Sequence, residues 1–264
     1  MEELLRVENL VVAYGQTRVV SGVNFSVRRG EILVVAGESG SGKSTLLKAI
    51  GGLLGKGGAI VDGKIFFDGR EITFLSDGQR RKISGEAIGF IFQNAGASFC
   101  PIRKIGEQIF ESVRAHRDWD EKFFRERATE LMQKINLAPE VLDEYPFRLS
   151  GGMAQRAGIL AATILEPKLL LADEPTSALD VLTQAEVVKE LLNLRARQKI
   201  SIVLVTHDLR VAWRMADKFL IMRRGAPVEF GKREQIFSAP RETYTQELIR
   251  AANLVRSKEL GVRS

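Results

Sequence analysis

The sequence has one cysteine, Cys100, and two histidines among its 264 residues. A single thiol excludes any disulfide within the chain. It also excludes an iron–sulfur cluster or a structural zinc site built from thiolates of this chain alone. Because disulfides belong mainly to oxidising compartments, we expect a reducing, cytosolic setting.

Long apolar runs and a strong excess of one charge are also missing. No stretch reaches the roughly 20 apolar residues of a membrane-spanning helix, and no basic leader opens the sequence, so we expect a chain that is soluble by itself. The formal net charge of +6 is mild, and the basic clusters Arg28-Arg29, Arg80-Arg81-Lys82 and Arg223-Arg224 lie between acidic residues. Without a long basic stripe or interleaved aromatics, they predict a solvated surface and no nucleic-acid partner.

The apolar patterns of the N-terminal part predict strands with one helix among them. The run Ile32-Leu33-Val34-Val35 is apolar throughout, which is typical of a strand buried on both faces. A glycine-rich turn and a helix follow it. The predicted elements are strands over Leu4 to Val12, Gly22 to Val27, Ile32 to Val35 and Lys64 to Phe67, and a helix over Lys43 to Leu54.

From about residue 100 to residue 165 the pattern becomes helical, and we expect a helical insert there. Within it, four apolar residues recur at helical spacing and predict one buried face: Phe124, Ala128, Leu131 and Ile135. Strands and helices then alternate again, which predicts a parallel sheet and an α/β fold. These elements are a strand over Leu169 to Ala172, a helix whose buried face is Val181, Ala185, Val188 and Leu192, a strand over Ile200 to Val205, and two helices from Arg233 onward, separated by Ala239-Pro240 and followed by a polar tail.

A glycine-rich motif lies directly after the buried strand and directly before the predicted helix. It fits the pattern G-x-x-x-x-G-K-[ST] in the strand and helix context that this pattern requires. Backbone N–H groups and the helix N-terminus would face the β-phosphate of a nucleotide, Lys43 would reach the β and γ oxygens, and the Ser44 hydroxyl would bind Mg²⁺. We expect the nucleotide to be bound by Gly37, Glu38, Ser39, Gly40, Ser41, Gly42, Lys43, Ser44 and Thr45.

Two carboxylates end the strand Leu169 to Ala172. Ligands of parallel sheets bind outside the carboxyl ends of the strands, so Asp173 would hold Mg²⁺ and Glu174 would orient or deprotonate the attacking water. An Asp-Glu pair after a strand is by itself more often a helix-capping turn. Together with the phosphate loop, the catalytic interpretation is the stronger one.

Two further polar residues follow apolar runs. His207 comes after Ile202 to Val205, and the predicted topology brings it to the same edge as Lys43 and Glu174, where it would sense the γ-phosphate. Gln93 comes after Ile88 to Phe92, and its amide would bind Mg²⁺ or water. In isolation a histidine such as His207 is more often an ordinary surface or core residue, and Gln93 could equally be an ordinary polar residue at a strand end.

The segment Leu149 to Arg156 contains Ser150, Gly151 and Gly152. Ser150 can cap a following helix, and the two glycines expose backbone N–H groups beside its hydroxyl, which makes a second anion-binding helix terminus. The order and spacing of all these segments resemble the nucleotide-binding subunit of an ABC transporter over nearly the entire chain. The fold so implied is a P-loop NTPase (RecA-like) parallel-sheet core with an N-terminal antiparallel β subdomain and an inserted α-helical subdomain.

The resemblance implies a domain plan and further site residues. Residues 1–264 would form one nucleotide-binding domain: an ATP-binding core with its β subdomain (1–94 and 166–231), a helical subdomain with the signature motif (95–165) and a C-terminal helical tail (232–264). Ser150, Gly151 and Gly152, which form the signature motif, would bind the γ-phosphate of ATP held by an opposite subunit. The ring of Tyr14 would stack on adenine, and Asp180, in the segment Ser177-Ala178-Leu179-Asp180, would line the dimer interface.

The resemblance narrows to the peptide/nickel importer branch through Met153, Tyr145-Pro146, Ile236 to Pro240 and Tyr244-Thr245. It implies an ATPase, with ATP and Mg²⁺, that drives import of peptides or nickel and other metal complexes. The partners implied are a homologous nucleotide-binding subunit, two membrane-spanning permease subunits and, indirectly, an extracytoplasmic substrate-binding protein, which places the chain on the cytoplasmic face of the membrane.

Three alternatives differ in function. An exporter shares the cassette chemistry and stays the nearest competitor. ABC proteins of DNA repair would separate Lys43 from Ser150 by a long coiled coil, and here only the helical insert fits between them. A binding module without hydrolysis predicts loss of the catalytic carboxylate or histidine, yet Glu174 and His207 are both present.

Overall fold

The computed structural model describes residues 2–177 and 179–259, with the side chains described as far as residue 252. Ala178, in the predicted interface segment, and the last five residues of the predicted polar tail lie outside the described residues. The strands are β1 (Glu3–Tyr14), β2 (Thr17–Arg28), β3 (Ile32–Ala36), β4 (Gly58–Phe67), β5 (Arg70–Glu71), β6 (Ile88–Ile91), β7 (Leu169–Asp173), β8 (Ser201–Val205), β9 (Lys218–Arg223) and β10 (Ala226–Lys232).

The helices include those that the sequence pattern predicted and two that it did not, at Asp77–Ile83 and Leu209–Met215. In chain order the helices are α1 (Lys43–Gly51), α2 (Asp77–Ile83), α3 (Ile105–Arg114), α4 (Glu121–Lys134), α5 (Gly151–Thr163), α6 (Val181–Gln198), α7 (Leu209–Met215), α8 (Arg233–Ser238) and α9 (Thr243–Glu259), with short 3₁₀ helices at Ala95–Ser98, Pro139–Asp143 and Pro146–Arg148. Within the described ranges, none of them combines the length and the apolar character needed to cross a bilayer.

The chain divides into two compact units, Met1–Phe74 with Val203–Ser264 and Leu75–Ile202. The predicted subdomain bounds stay a prediction. The first unit contains an antiparallel sheet of order β2-β1-β4-β5, and in it β3 pairs in parallel with β9, which in turn pairs antiparallel with β10. All five residues of β3 are buried. This explains why the strand carries no polar side chain, since a strand covered on both faces leaves none in contact with water.

The second unit contains the helical insert and the parallel pair of β6 with β7, in which Ile88 lies opposite Leu169. The boundary between the units falls within β8, after Ile202. The predicted face of α4 is confirmed, since Phe124, Ala128 and Leu131 are buried. The two units thus contain the parallel and antiparallel pairs and the inserted helices that the sequence predicted.

The predicted face of α6 is wrong in part. Val188 is buried, but the other buried apolar residues of the helix are Val187, Leu191 and Leu194, and Val181 is 72% exposed. The buried stripe is rotated by about one residue, or roughly 100°, and the first turn stands free of the core. Val181 therefore does not belong to the buried face, although its spacing predicted that it would.

Helix α1 is shorter than predicted, because it ends at Gly51 rather than Leu54. Gly52 adopts a left-handed conformation (φ 70°), and its N–H donates to the carbonyl groups of Lys48 and Ala49. This glycine cap satisfies carbonyl groups that the helix end leaves without partners. The sequence pattern continued through Leu53 and Leu54, but the cap decides where the helix stops.

Candidate active site

The loop between β3 and α1 is a backbone cradle formed under tight steric limits. Gly42 caps α1 with φ 90°, and a Cβ there would lie 2.6 Å from the carbonyl oxygen of Val19. At Gly37, with φ 151°, a Cβ would lie 2.0 Å from the carbonyl oxygen of Met222. Only glycine fits either position. The loop is therefore held between β2 and β9, with its N–H groups leading into α1.

The Lys43 side chain lies inside this loop and is buried. Its Nζ donates to the carbonyl oxygens of Gly37 (3.0 Å) and Glu38 (2.7 Å) and to Oγ of Ser41 (3.3 Å). The ammonium group is thus surrounded by the oxygens of the loop. A phosphate that enters the loop would exchange these neutral acceptors for charged ones, which bind an ammonium group more strongly.

Strand β8 brings His207 to the same edge as the loop. The Thr206 N–H donates to the carbonyl oxygen of Val35 (3.4 Å), two residues before Gly37. His207 follows Thr206 and is exposed. Asp208 then caps α7 by accepting from the backbone N–H groups of Arg210 and Val211.

The pKa of Asp208 is lowered overall. Burial raises it, but the hydrogen bonds from the Arg210 side chain and from the backbone outweigh the burial.

Tyr14 ends β1 and is half-buried, with its ring against Gly58, where a Cβ would lie 2.8 Å from the ring. The other ring face is the part of Tyr14 that could receive a base.

In the second unit, the ends of the parallel neighbours β6 and β7 bring Gln93 and Glu174 together. Nε2 of Gln93 donates to Oε2 of Glu174 at 3.1 Å. Asp173, the last residue of β7, is buried. Glu174 has a left-handed backbone (φ 45°), and its carbonyl oxygen accepts from the Ser177 N–H and hydroxyl, each at 3.2 Å. Such a conformation is uncommon for a residue other than glycine and costs free energy.

Ser150 caps the signature helix α5, as predicted. Its Oγ accepts from the Met153 N–H at 3.3 Å. Asp180 caps α6 by accepting from the N–H groups of Leu182 and Thr183, both at 3.1 Å. The Thr183 hydroxyl donates to the same carboxylate at 2.6 Å, and this hydrogen bond lowers the pKa of Asp180 most, followed by the one from the Thr183 backbone N–H.

Thr183 also connects the two caps. A Cβ at Gly152 would lie 2.9 Å from Cγ2 of Thr183, so the signature helix and the start of α6 are in direct contact. Two apolar residues after Asp180, Val181 and Leu182, are 72% and 79% exposed. The signature and the predicted interface residue therefore lie on one continuous surface of the second unit.

Sequence reasoning missed the ion pair that fixes the signature helix. Arg156 of α5 donates through Nε to Oε1 of Glu190 (3.0 Å) and through Nη2 to Oε2 of Glu186 (2.5 Å). Burial raises the pKa of Glu190, against the hydrogen bond from Arg156. A buried ion pair is weak evidence for stability but fixes the geometry of the elements it joins, here α5 and α6. No spacing rule on the sequence points to it.

The donor chemistry of the predicted metal ligands fits Mg²⁺. A hydroxyl, an amide and a carboxylate, from Ser44, Gln93 and Asp173, are hard oxygen donors, and Mg²⁺ in nucleotide sites takes only one or two protein ligands besides phosphates and water. The described residues contain no group of three or more His, Cys, Asp or Glu that could hold a metal alone. A site that depends on nucleotide phosphates needs no such group.

A parallel pair of buried strands, a phosphate loop leading into a helix, and a carboxylate pair at the end of β7 define a P-loop NTPase. Residues 20–177 match the family described as "ABC transporter". The chain therefore belongs to the ABC transporter family. The predicted fold class is confirmed, and so is the prediction that the chain is an ATPase and binds nucleotide.

Curated relatives match over almost the whole chain. The dipeptide transport ATP-binding protein DppD of Escherichia coli is 40% identical over 94% of this chain and 78% of its own length. The metal-staphylopine import system ATP-binding protein CntD of Staphylococcus aureus is 37% identical over 93% of this chain and 92% of its own. These are components of transport systems, and the resemblance to the peptide and nickel branch is confirmed.

Solved structures agree with the fold. The ATP-binding cassette MJ0796, in a dimeric post-hydrolysis state bound to ADP and Pi, superposes with a TM-score of 0.78 at 29% identity, covering 87% of this chain and 99% of that one. The structure of cbiO1 from Clostridium perfringens, part of the ABC transporter complex cbiONQ, gives a TM-score of 0.79 at 28% identity, covering 98% of this chain and 99% of that one.

Proposed function

We propose that this chain is the ATP-hydrolysing subunit of an importer and energises the uptake of peptides or of metal complexes through separate membrane subunits. The observation that carries the proposal is the identity of 37–40% to a dipeptide and a metal-staphylopine transport subunit over more than nine-tenths of the chain. Similarity over this share of the chain extends beyond the nucleotide motifs into the helical insert.

ATP binds in the loop from Gly37 to Thr45. The loop N–H groups and the N-terminus of α1 surround the β-phosphate, and Lys43 moves from the loop carbonyl groups to the β and γ oxygens. Adenine stacks on the exposed face of Tyr14. Replacing Lys43 with Ala tests this binding mode. We expect ATP affinity to fall at least tenfold, because a charge-assisted contact is lost, and an unchanged affinity would contradict it.

The Ser44 hydroxyl, the Asp173 carboxylate and the Gln93 amide would hold Mg²⁺. When bound, the ion neutralises charge on the β and γ oxygens. Two features of the residues support the assignment: Asp173 is buried at the end of β7, and Ser44 is the second residue of α1. In the parent chain, isothermal titration should show that Mg²⁺ changes the affinity for ATP. In Asp173→Asn, the affinities measured with and without Mg²⁺ should be the same.

Glu174 is the general base for the attacking water. Gln93 orients its carboxylate, as the hydrogen bond of 3.1 Å indicates, and the strained backbone at Glu174 is typical of a residue placed for chemistry. The carboxylate accepts a proton from water as the water oxygen attacks the γ-phosphorus, and the bond between that phosphorus and the β–γ bridging oxygen breaks to release ADP. His207 contacts the γ-phosphate and signals its presence to α7.

The ATPase site is completed by a second, homologous subunit. Ser150, Gly151 and Gly152 bind the γ-phosphate of ATP on the opposite subunit, and Asp180 lies at the interface. The exposed apolar residues Val181 and Leu182 next to Asp180 support this assignment, because such residues are normally covered in the assembled state. Light scattering of Glu174→Gln with MgATP tests it: we expect a dimer with itself or with a homologous partner.

The membrane subunits contact the segment after Gln93 and the start of the helical insert. This contact lies on the cytoplasmic face of the membrane, and an extracytoplasmic binding protein delivers the cargo on the other side. Ile102, which is 81% exposed, supports this surface. Co-purification with membrane subunits, followed by a transport assay, tests the whole proposal. Uptake of peptide or of a chelated metal supports it, whereas efflux identifies an exporter and contradicts it.

A further inference from the structure

The first turn of α9 contacts the phosphate loop. The backbone N–H of Glu38 donates to the hydroxyl oxygen of Tyr244 at 2.9 Å, although the two residues lie 206 positions apart. Both belong to the first compact unit. A residue of the C-terminal segment therefore holds the second residue of the loop, and the nucleotide chemistry proposed above makes no use of this contact.

Glu38 is held on two sides at once. Its N–H donates to Tyr244, and its carbonyl oxygen accepts from Nζ of Lys43 at 2.7 Å. In a phosphate-binding loop the donors are N–H groups that converge on the anion. The Glu38 N–H is directed to the phenol instead, so it anchors the loop from outside. Glu38 thus links the two side chains: its N–H contacts Tyr244, and its carbonyl oxygen contacts Lys43.

The position of Tyr244 is itself fixed by the strand before the tail. The carboxylate of Glu229, on β10, accepts from the backbone N–H groups of Arg241 (3.0 Å) and Glu242 (3.3 Å). Thr245, next to Tyr244, is fully buried. A carboxylate at the N-terminus of a helix also interacts favourably with the helix dipole. The first turn of α9 is therefore attached firmly to the unit that contains the loop.

Arg223 adds a weak interaction to the contact between Tyr244 and Glu38. The Arg223 guanidinium lies over the Tyr244 ring, 4.6 Å from its centroid, and its Nε lies 3.9 Å from Oε1 of Glu38. Arg223 and Glu38 are 44% and 45% exposed, and ion pairs at such exposure contribute little. The ring contact would persist with phenylalanine at this position. The hydroxyl is the one group of the tyrosine that holds the loop backbone.

We propose that Tyr244 is a positioning residue for ATP binding: its hydroxyl fixes Glu38, and through Glu38 it keeps the loop and Lys43 in the conformation that receives phosphate. This inference rests on the proposed ATP site. Because Glu38 is exposed, water replaces the lost hydrogen bond in Tyr244→Phe, so the fold keeps its stability while the loop gains freedom. Loss of one neutral hydrogen bond corresponds to roughly 3- to 10-fold weaker binding.

The test is a titration of the purified full chain with a fluorescent ATP analogue and Mg²⁺. The variants are Tyr244→Phe, Lys43→Ala and, as a matched control, Tyr145→Phe. The control also removes a tyrosine hydroxyl, but from a ring that is stacked on Phe147. Thermal unfolding without nucleotide and hydrogen exchange of the Glu38 amide are measured in parallel. A merely structural role of Tyr244 would lower the unfolding temperature, and a positioning role would not.

The expected result for Tyr244→Phe is an unchanged unfolding temperature, roughly 3- to 10-fold weaker ATP binding and faster exchange of the Glu38 amide, with Tyr145→Phe like the parent. The inference is overturned if Tyr244→Phe binds ATP like the parent while Lys43→Ala does not, or if stability and affinity fall together. Unchanged binding by Lys43→Ala would overturn the proposed ATP site, and the inference with it.

Discussion

Gln93 donates a hydrogen bond from Nε2 to Oε2 of Glu174 at 3.1 Å. The two side chains end neighbouring parallel strands, and each leads into a different part of the second unit. Gln93 leads into the short helix Ala95–Ser98, and Glu174 leads toward Asp180 and α6. The proposed base is thus hydrogen-bonded to the residue directly before the segment that the importer proposal assigns to the membrane partner.

The segment after Gln93 packs on the signature helix through very small residues. A Cβ at Gly158, in the middle of α5, would lie 2.5 Å from Cβ of Ala95. Glycine inside a helix normally costs about 1 kcal/mol relative to alanine. Here Gly158→Ala should instead lower the free energy of unfolding, by about 1–3 kcal/mol, because the contact becomes overpacked.

A double-mutant cycle with Ala95→Gly isolates this contact. Urea unfolding of the double variant Ala95→Gly/Gly158→Ala should recover most of the stability lost by Gly158→Ala alone. A single Gly158→Ala variant that is more stable than the parent would show that ordinary helix propensity governs the position.

Ser150 serves the fold and, in our proposal, a neighbouring subunit, and two substitutions separate these roles. Ser150→Ala removes the cap of α5 and should lower the free energy of unfolding by about 1 kcal/mol. Ser150→Asn keeps a capping oxygen and should keep the stability. Both variants should lose ATP hydrolysis in the assembled transporter. Full hydrolysis by Ser150→Asn would show that the hydroxyl does not act on nucleotide.

The cap at Asp208 makes a pH-dependent contribution. The folded-state pKa is lowered, so the stabilisation is present above the unfolded-state value, about 3.9, and is lost as the pH falls through the lower, folded-state pKa. At pH 7, Asp208→Ala should lower the free energy of unfolding by about 1 kcal/mol. Urea unfolding from pH 7 to pH 3 should show that this difference shrinks, and a difference independent of pH would contradict the account.

Two isoleucines near the start of the helical insert should respond oppositely to a charge. Ile102 is 81% exposed, whereas Ile105 is fully buried. Ile102→Glu should leave folding and nucleotide binding intact and uncouple ATP hydrolysis from transport. Ile105→Glu should unfold the insert, because a buried charge without a partner is very costly. Transport that is coupled normally in Ile102→Glu would remove this residue from the partner surface.

Much of the candidate site could be predicted because strand ends are visible in the sequence. The carboxyl ends of parallel strands share an edge, and the structure accordingly brings Gln93 and Glu174 together after β6 and β7. The apolar residues near the start of the insert are different, because spacing alone does not show that Ile102 is exposed whereas Ile105 is buried. The Tyr244 contact could not be derived, since no local rule links residues so far apart.

In the proposed mechanism, ATP hydrolysis with Glu174 as the base drives uptake, and Glu174→Gln separates ATP binding from hydrolysis. The glutamine keeps the size of the side chain but cannot accept the proton from water. The assembled transporter is placed in vesicles with ATP and this chain inside and with binding protein and labelled peptide or metal complex outside. The parent chain should support ATP-dependent accumulation, whereas Glu174→Gln should bind MgATP without hydrolysis or accumulation. Hydrolysis and accumulation at the parent rate with the variant would contradict the proposed mechanism.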